Sequence, residues 1–460
     1  MSAERFDAIV IGVGQAAPAL CARLDKEGLK TALIERKLLG GTCVNNGCIP
    51  TKTLIASARA AHVARRGDDY GFSAGKVRVD MRAVKKRKDG VVKRSSDALA
   101  KWIAGMKNVS LVHGHAAFTA PRTVSVNRRL LEADKLFLDV GARALVPDMP
   151  GVKDVPFLTN STMMEVDYLP EHLVIVGGSY IGLEFAQMYR RFGSKVTVVE
   201  KAPKLLPRED DDVAQEIRAI MEREGIELRI DAECMELKKK GRRIVVGLAC
   251  KDGPPLAEGS HLLLAVGRVP NTQDLGLAKA GIETDERGYI KVDDQCHTTA
   301  PGVWALGEAN GRGAFTHTSY NDYEIVAANL FDNDPRRISD RIQTYALFID
   351  PALGRAGMNE AEARKSGKRV LAGKMPMTRV SRAREAGETQ GFMKVLVDAD
   401  SKELLGASLL GLNADEVVHS LLDMMYAKKP YTTIQRAVHI HPTVTELIPT
   451  LLGTLKPLST

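Results

Sequence analysis

The chain has 460 residues, with 65 Lys and Arg against 57 Asp and Glu, a formal net charge of +8, 44% hydrophobic residues and 6 cysteines. This length allows about three domains, and the composition excludes a disordered chain, a collagen and a disulfide-dense secreted protein. No apolar run approaches the roughly 18 residues that a membrane-spanning helix requires, and the N-terminus does not have the order of a signal peptide, so we expect a cytoplasmic protein without a membrane partner.

The first predicted element is a dinucleotide-binding unit near the N-terminus. The run DAIVIGVG ends in glycines, a helical pattern follows, and a second apolar run, TALIE, ends at Glu35. Glycines at positions 12 and 14 let the backbone approach a pyrophosphate, the helix N-terminus attracts its charge, and the acidic residue accepts a hydrogen bond from the ribose. Ala17 stands at the third glycine position, which this fingerprint permits.

A pair of cysteines follows this unit. Cys43 and Cys48 lie five residues apart in GGTCVNNGCIPTKTL, and the stretch 52–64 after them is strongly helix-forming. A thiol at a helix start has a lowered pKa, which favours a reactive and reversible disulfide. No second close pair exists to complete a four-cysteine zinc site, so we predict no metal site. The remaining cysteines are isolated and are interpreted as small buried side chains: Cys21, Cys234, Cys250 and Cys296.

The dinucleotide unit is repeated in HLVIVGGSYIGLEFAQMYRRFGSKVTVVE, residues 172–200. In both copies the acidic residue falls 23 positions after the first glycine, at Glu35 after Gly12 and at Glu200 after Gly177. Two copies in register indicate two dinucleotides in one protein. Ser179 replaces the middle glycine of the second copy, where the pyrophosphate passes closest, so we expect looser binding there.

Two basic clusters, residues 85–94 and 238–243, raise the question of nucleic acid binding. The first falls in a predicted helix and the second flanks Gly241 at a predicted turn between strands. Aromatic residues make up only 5% of the chain and do not interleave with either cluster, whereas base-stacking surfaces need them. We therefore interpret both clusters as solvent-exposed faces and expect no nucleic acid partner.

Together with LLLAVGRVPNT (262–272), ALGE (305–308) and HPTVTE (441–446), these motifs resemble the class I pyridine nucleotide-disulfide oxidoreductases, the family of glutathione reductase, dihydrolipoamide dehydrogenase and mercuric reductase. The resemblance covers essentially the whole chain. It implies an α/β fold with two Rossmann-like dinucleotide-binding domains and a C-terminal α+β dimerisation domain. We predict an FAD-binding domain at 1–150 that resumes at 271–345, an NAD(P)-binding domain at 151–270 and a dimerisation domain at 346–460.

The resemblance also implies the cofactors and their binding residues. FAD and NAD(P)H are the expected cofactors, the first bound by the first unit and the second bound by the second unit. The residues implied for FAD are Gly12, Gly14, Ala17, Glu35, Thr42, Lys52, Gly141, Gly307 and Glu308, and those implied for NAD(P)H are Gly177, Ser179, Tyr180, Gly182, Glu200 and Gly267.

The family pattern assigns the chemistry to a few side chains. Hydride passes from the nicotinamide to the flavin and then to the disulfide, with Cys48 facing the flavin and Cys43 exchanging with substrate. Lys52 and Glu184 match the ion pair beside the flavin, and Tyr180 matches the aromatic side chain that covers the nicotinamide pocket.

The C-terminal motif matches the acid-base dyad of the family, formed by His441 and Glu446. A histidine of near-neutral pKa takes the proton of the exchanging thiol, and a carboxylate fixes its tautomer. In the family this dyad reaches the cysteines of the other subunit, which implies a homodimer with shared active sites. His439, two residues earlier, is interpreted as a support for the turn.

Several positions depart from the family pattern. Glu308 replaces the usual aspartate at the flavin ribitol, and Asp139-Val140-Gly141 stands where Asn-Thr-Gly is common, so we predict weaker FAD retention. Glu200 accepts from a free ribose hydroxyl and repels a 2′-phosphate, which favours NADH. Nearby cations offset that repulsion in part: Lys201, Lys204 and Arg208.

The sequence resembles mercuric reductase-like and reactive-chlorine-resistance flavoproteins more than it resembles dihydrolipoamide dehydrogenases. This resemblance predicts a metal ion or a disulfide as the electron acceptor. The C-terminus LLGTLKPLST lacks the paired cysteines that deliver the metal in full mercuric reductases. Dihydrolipoamide dehydrogenase is the alternative, supported by Glu200 and the HPTVTE dyad. A basic flavoprotein that only binds a partner is a third hypothesis, which the intact cysteine, lysine and histidine set disfavours.

Overall fold

The computed structural model describes residues 3–250 and 253–458. The N-terminal part begins with short apolar runs that form a sheet buried on both faces, as expected for parallel strands covered by helices. Its elements are β1 (Glu4–Ile11), α1 (Ala17–Lys26), β2 (Thr31–Glu35), α2 (Gly41–Asn45), α3 (Cys48–Arg65), α4 (Met81–Ala104), β3 (Val109–His113), β4 (Ala117–Ala120), β5 (Thr123–Val126), β6 (Arg129–Leu138) and β7 (Ala142–Ala144).

The second part repeats the strand, glycine turn, helix and strand order. Its elements are β8 (His172–Val176), α5 (Tyr180–Phe192), β9 (Lys195–Glu200), α6 (Asp211–Arg223), β10 (Glu227–Ile230), β11 (Ala232–Lys240), β12 (Arg243–Cys250), β13 (Leu256–Gly259), β14 (His261–Leu264) and β15 (Arg268–Pro270). Strands β10, β9, β8 and β14 form a parallel sheet, and β11, β12 and β13 form an antiparallel one.

The chain then returns to the first sheet through β16 (Val303–Ala305) and α7 (Thr316–Ala327). Strand β16 pairs in parallel with β6, which gives the parallel strand order β3-β2-β1-β6-β16, with β5 and β4 continuing from β6 as antiparallel strands. An antiparallel ribbon of β7 and β15 lies at the two crossings between the first and second parts. The two glycine turns therefore stand at the carboxyl ends of β1 and β8, where open parallel sheets bind ligands.

The C-terminal part is an antiparallel sheet covered by helices. Its elements are β17 (Thr344–Leu347), β18 (Ala352–Gly357), α8 (Glu360–Lys365), β19 (Val370–Pro376), α9 (Ser381–Glu385), β20 (Phe392–Asp398), β21 (Leu404–Gly411), α10 (Ala414–Tyr426), α11 (Thr432–Gln435), α12 (Ile448–Leu452) and β22 (Lys456–Pro457). The sheet order is β17-β18-β21-β20-β19-β22, and α10 and α12 pack on it over an apolar core.

The basic clusters lie where the sequence predicts, one in α4 and one around the turn between β11 and β12. The expectation of a fully solvent-exposed face is wrong at Lys88, which is 3% exposed and whose ammonium donates a 2.7 Å hydrogen bond to the carbonyl of Met164. Several other lysines pair with acids, as Lys85 does with Asp89 at 2.8 Å. Within the described residues no helix is both long and apolar enough to cross a bilayer.

The isolated cysteines differ in burial. Cys21 and Cys296 are buried in apolar clusters, as predicted. Cys234 is half-buried and contacts the sulfur of Met149 at 3.7 Å, so the prediction of a buried side chain is wrong there. The side chain of Cys250 lies outside the described residues.

Candidate active site

A cavity of about 2530 Å³ runs through the interior, from the first glycine turn past the cysteine pair to the second glycine turn. Its lining contains most of the side chains that the sequence predicts for cofactors and chemistry: Gly12, Gly14, Glu35, Thr42, Cys43, Cys48, Lys52, Gly141, Gly177, Ser179, Tyr180, Glu184, Glu200, Gly267 and Glu308. Of the residues predicted to bind cofactors, Ala17, Gly182 and Gly307 are not part of this lining. The two dinucleotide units thus open into one continuous space that also holds the thiols.

The two glycine turns have the same geometry. Gly12 and Gly177 both adopt positive φ angles, +92° and +116°, and a Cβ at either would lie 2.3 or 2.4 Å from a carbonyl oxygen of the neighbouring strand end. The residue before each helix, Ala16 for α1 and Ser179 for α5, accepts no helix amide with its own side chain. At the start of α1 the amide of Ala17 donates to the carboxyl of Asp139 at 2.9 Å. A glycine turn followed by a helix N-terminus fits the pyrophosphate of a dinucleotide.

The third position of the fingerprint differs between the copies. A Cβ at Gly182 would lie 1.9 Å from the carbonyl oxygen of Gly177, so the helix and turn touch there and only glycine fits. In the first copy Ala17 is accommodated with no exposed surface. The substitution therefore leaves the first turn intact.

The two acidic residues hold their turns by matching hydrogen bonds. One oxygen of Glu35 accepts the N–H of Val13 at 2.8 Å, and the other accepts the N–H of Lys37 at 2.7 Å. Glu200 repeats this with Gly178 at 2.6 Å and Ala202 at 2.8 Å. Sequence reasoning assigned these carboxylates to ribose and missed their structural role. Each oxygen still has a lone pair for a ribose hydroxyl.

The cysteine pair stands at the start of α3. Cys43 lies in α2, Cys48 is the first residue of α3, and both are free thiols. The hydrogen bond from Cys43, together with Thr316 and the charge of Lys52, lowers the pKa of Cys48 to about 6. The same hydrogen bond, with burial, raises the pKa of Cys43. At neutral pH the reduced pair is therefore one thiolate, at Cys48, and one thiol, at Cys43.

Thr316 is a site residue that sequence reasoning missed. It is the first residue of α7, and its hydroxyl oxygen lies 3.4 Å from the sulfur of Cys48. Chain distance hides this contact, because the two residues are 268 positions apart.

Lys52 and Glu184 form the ion pair that the sequence predicts. The ammonium lies 2.9 and 3.0 Å from the two carboxylate oxygens, and the carboxylate side chain is only 8% exposed. The backbone N–H of Phe348 donates to the same carboxylate at 3.0 Å, and the ammonium lies 4.4 Å from the ring of Phe348. The pair thus joins α3, α5 and the C-terminal part beside the cavity.

Tyr180 begins α5 and lines the cavity, with its hydroxyl turned toward a buried carboxylate. It donates to Glu209 at 2.8 Å, and the hydroxyl of Tyr345 donates to the same oxygen at 2.6 Å. Its ring meets those of Tyr345 and Phe315 edge to face. Burial raises the pKa of Tyr180, so it stays a neutral hydrogen-bond donor. The sequence identified Tyr180 but gave no signal for its partners.

Glu308 forms an ion pair with Arg268, a partner that the sequence did not predict. Its carboxylate lies 2.6 Å from Nε of Arg268, and that guanidinium also donates to the carbonyl of Ala142 at 2.7 Å. Both ionic side chains are 16% exposed. The longer side chain at position 308 is thus tied to the ribbon where the chain crosses between its parts.

His441 and Glu446 pair as predicted, with Nδ1 2.9 Å from the carboxylate. The imidazole is 72% exposed, and neither residue lines the cavity of its own chain. His439 contacts the carbonyl of Ala437 at 3.1 Å, a local contact at the turn. Val438 and Ile440 beside it are exposed apolar side chains.

These features define a class of protein, an oxidoreductase. In this class a pair of cysteines, one of them with a lowered pKa, lies between two dinucleotide sites. The family model described as "Pyridine nucleotide-disulphide oxidoreductase" matches residues 6–322. The model of the dimerisation domain of the same family matches residues 344–452. The chain belongs to the pyridine nucleotide-disulfide oxidoreductase family and uses FAD and NAD(P)H.

Three relatives show the breadth of the family. The probable pyridine nucleotide-disulfide oxidoreductase RclA of Escherichia coli is 35% identical, covering 98% of this chain and 100% of its own. Dihydrolipoyl dehydrogenase of Thermus scotoductus is 32% identical, covering 96% of each chain, and mercuric reductase of Streptomyces lividans is 30% identical, covering 96% and 94%. The solved Cu(II) complex of RclA, described as an HOCl-induced flavoprotein disulfide reductase, matches with a TM-score of 0.89 at 34% identity over 97% of this chain and 99% of its own.

Proposed function

We propose that this flavoprotein disulfide reductase delivers electrons from NADH, through the Cys43–Cys48 pair, to a metal ion such as Cu(II), which is reduced to the soft ion Cu(I). The observation that carries the proposal is the asymmetric dithiol, with a thiolate at Cys48 and a protonated Cys43 opening into the cofactor cavity. Thiolates bind soft metal ions. The relative RclA has been solved as a Cu(II) complex, which supports this choice of acceptor.

Electron transfer to the metal follows from the protonation of the pair. When bound, FAD supplies the two-electron relay between the nicotinamide and the disulfide. One thiol and one thiolate then give a disulfide, two electrons and one proton, and two Cu(II) ions become two Cu(I) ions. The hydrogen bond from Cys43 and the Thr316 hydroxyl stabilise the Cys48 thiolate, and the Lys52 ammonium adds its charge.

The proton of Cys43 needs a base, and we assign this role to His441 with Glu446. The carboxylate holds Nδ1, so Nε2 is the free nitrogen that takes the proton. Because the exposed dyad does not line the cavity of its own chain, we propose that it serves the cysteines of a second subunit in a homodimer. The match to the family's dimerisation domain supports this arrangement.

We propose NADH as the preferred coenzyme. Glu200 lines the cavity with its carboxylate fixed by two backbone amides, where it accepts from a free ribose hydroxyl. Three cations near Glu200 in the sequence could attract a 2′-phosphate and so weaken the preference for NADH. One of them, Lys204, pairs instead with Asp211, with 2.6 Å between Nζ and the carboxylate oxygen. Lys201 and Arg208 remain in the cavity lining.

We further propose that the chain divides as its sequence predicts, with FAD binding at 1–150 and 271–345, coenzyme binding at 151–270 and dimerisation at 346–460. The return of β16 to the first sheet and the separate parallel sheet around β8 support this division. We infer a cytoplasmic location, where NADH is available to such an enzyme.

The test compares Cu(II)-dependent NADH oxidation with dihydrolipoamide-dependent NAD⁺ reduction in one preparation. We expect metal-dependent turnover that Cys43→Ser abolishes. Cys234→Ser is the matched control, because Cys234 lines the same cavity with a pKa raised to about 11 by burial and should leave turnover intact. Fast dihydrolipoamide turnover without a metal response would instead identify a dihydrolipoamide dehydrogenase.

A further inference from the structure

A buried carboxyl group lies directly beneath the first glycine turn. Asp139 follows β6, and its backbone N–H donates to the carbonyl of Ile11 at the end of β1 at 2.8 Å. Its carboxyl oxygen Oδ2 accepts the N–H of Ala17, the first residue of α1, at 2.9 Å. A Cβ on Gly14 would lie 2.7 Å from the same oxygen. The carboxyl thus fastens the turn and the helix start at the wall of the cavity, whose lining includes Asp139.

The surroundings of this carboxyl disfavour a negative charge. Asp139 is 5% exposed, and burial raises its pKa to about 8. The backbone amides of Ala17 and Ala16 lower this pKa in part, and Asp322 of α7 and Glu35 of β2 add repulsion that raises it. The thiol of Cys21 in α1 is buried and stays protonated, because burial raises its pKa. Asp322 is itself paired with Arg341, so that guanidinium is committed to another carboxylate.

The same helix start is the site at which the first glycine turn fits a pyrophosphate. A helix N-terminus carries about half a positive charge, enough to favour one anionic group strongly. A neutral Asp139 accepts the Ala17 amide and leaves that charge to the phosphates. An ionised Asp139 places a second anion within the first turn of the helix, where it repels the phosphates of FAD.

We propose that Asp139 is a proton-dependent positioning residue for FAD, which holds the pyrophosphate turn when its carboxyl is neutral and weakens FAD binding when the carboxyl ionises. The inference rests on the proposed placement of FAD at the first glycine turn. Binding of FAD to the ionised form takes up one proton at Asp139. Affinity therefore falls with rising pH, by up to tenfold per pH unit while one proton is linked to binding.

The experiment measures FAD affinity on the apo-protein, from the quenching of flavin fluorescence, between pH 7 and pH 9. We expect the Kd to rise about tenfold over this range in the wild-type protein. Asp139→Asn keeps an amide oxygen for the Ala17 N–H and cannot ionise, so its Kd should stay level and match the wild-type value at pH 7. Asp134→Asn, five residues earlier in β6 and 55% exposed, should keep the wild-type pH dependence.

A second measurement on the wild-type protein covers the case in which Asp139→Asn does not fold. When FAD binds to the apo-protein in weak buffer, the protein should take up most of one proton per site from solution at pH 9. At pH 7 the uptake should be very small. A level wild-type Kd, or FAD binding without proton uptake at pH 9, would overturn the inference. Neither readout depends on turnover, so a failure here is distinct from a failure of the proposed metal reduction.

Discussion

The acidity of Cys48 can be tested through one hydroxyl group. Thr316→Val replaces the hydroxyl 3.4 Å from the Cys48 sulfur with a methyl group of the same shape. Hydrogen bonds to charged groups contribute about 1.5–3 kcal/mol, and about 1.4 kcal/mol corresponds to one pKa unit. Because this contact is long, we take the lower end, which moves the pKa of Cys48 from about 6 to roughly 7.

The shift has a measurable consequence for reactivity, since only the thiolate is alkylated. At pH 6 the thiolate fraction of Cys48 should fall from about one half to about one tenth, a roughly fivefold slower reaction. The assay follows iodoacetamide labelling of the Cys48 peptide by mass spectrometry across pH 5 to 9 in the reduced protein. Thr318→Val is the control, because that hydroxyl bonds the Phe315 carbonyl and not a thiol. An unchanged inflection in Thr316→Val would refute the assignment.

Three further outcomes are expected. His441→Ala should leave flavin reduction by NADH intact while lowering turnover with acceptor by about 10²-fold or more, and stopped-flow reduction that is also lost would contradict its role. The KM for NADH should be lower than that for NADPH, and Glu200→Ala should narrow the difference; a wild-type preference for NADPH in steady-state assays would overturn this. Asp139→Asn should stabilise the apo-protein at pH 7: the folded-state pKa of Asp139 is raised, so the folded form keeps a proton that the unfolded form has lost, and wild-type stability falls as pH rises from about 4 to about 8. Denaturant unfolding at pH 4 and pH 8 measures the difference in the free energy of unfolding between Asp139→Asn and the wild-type protein. This difference should be larger at pH 8 than at pH 4, and an equal difference at the two pH values would count against the buried neutral carboxyl.

Local patterns were enough to predict the parts of the site that are built from neighbouring residues. The spacing between Gly12 and Glu35, repeated between Gly177 and Glu200, corresponds to one strand, turn, helix and strand, whose geometry leaves little choice. The thiol pair at a helix start was readable for the same reason. His441 and Glu446 are five positions apart, so their pairing also follows from the local chain.

Contacts that depend on how the sheets and helices pack could not be read from spacing. Thr316 reaches Cys48 only because α7 returns to the first sheet, and Tyr345 reaches Tyr180 only because the C-terminal part packs on the second. The ion pair of Glu308 with Arg268 joins residues 40 positions apart across a domain crossing. Such partners carry no periodic signal in the sequence.

The most direct test of the account counts thiols as electrons arrive. Oxidised wild-type protein, with the Cys43–Cys48 disulfide formed, is mixed with NADH without oxygen, quenched in acid, alkylated and mapped by mass spectrometry, before and after addition of Cu(II). We expect NADH to produce two new thiols, at Cys43 and Cys48, and two Cu(II) per site to return them to the disulfide. A flavin reduced by NADH with no new thiols at these positions, or a dithiol that Cu(II) leaves unchanged, would contradict it.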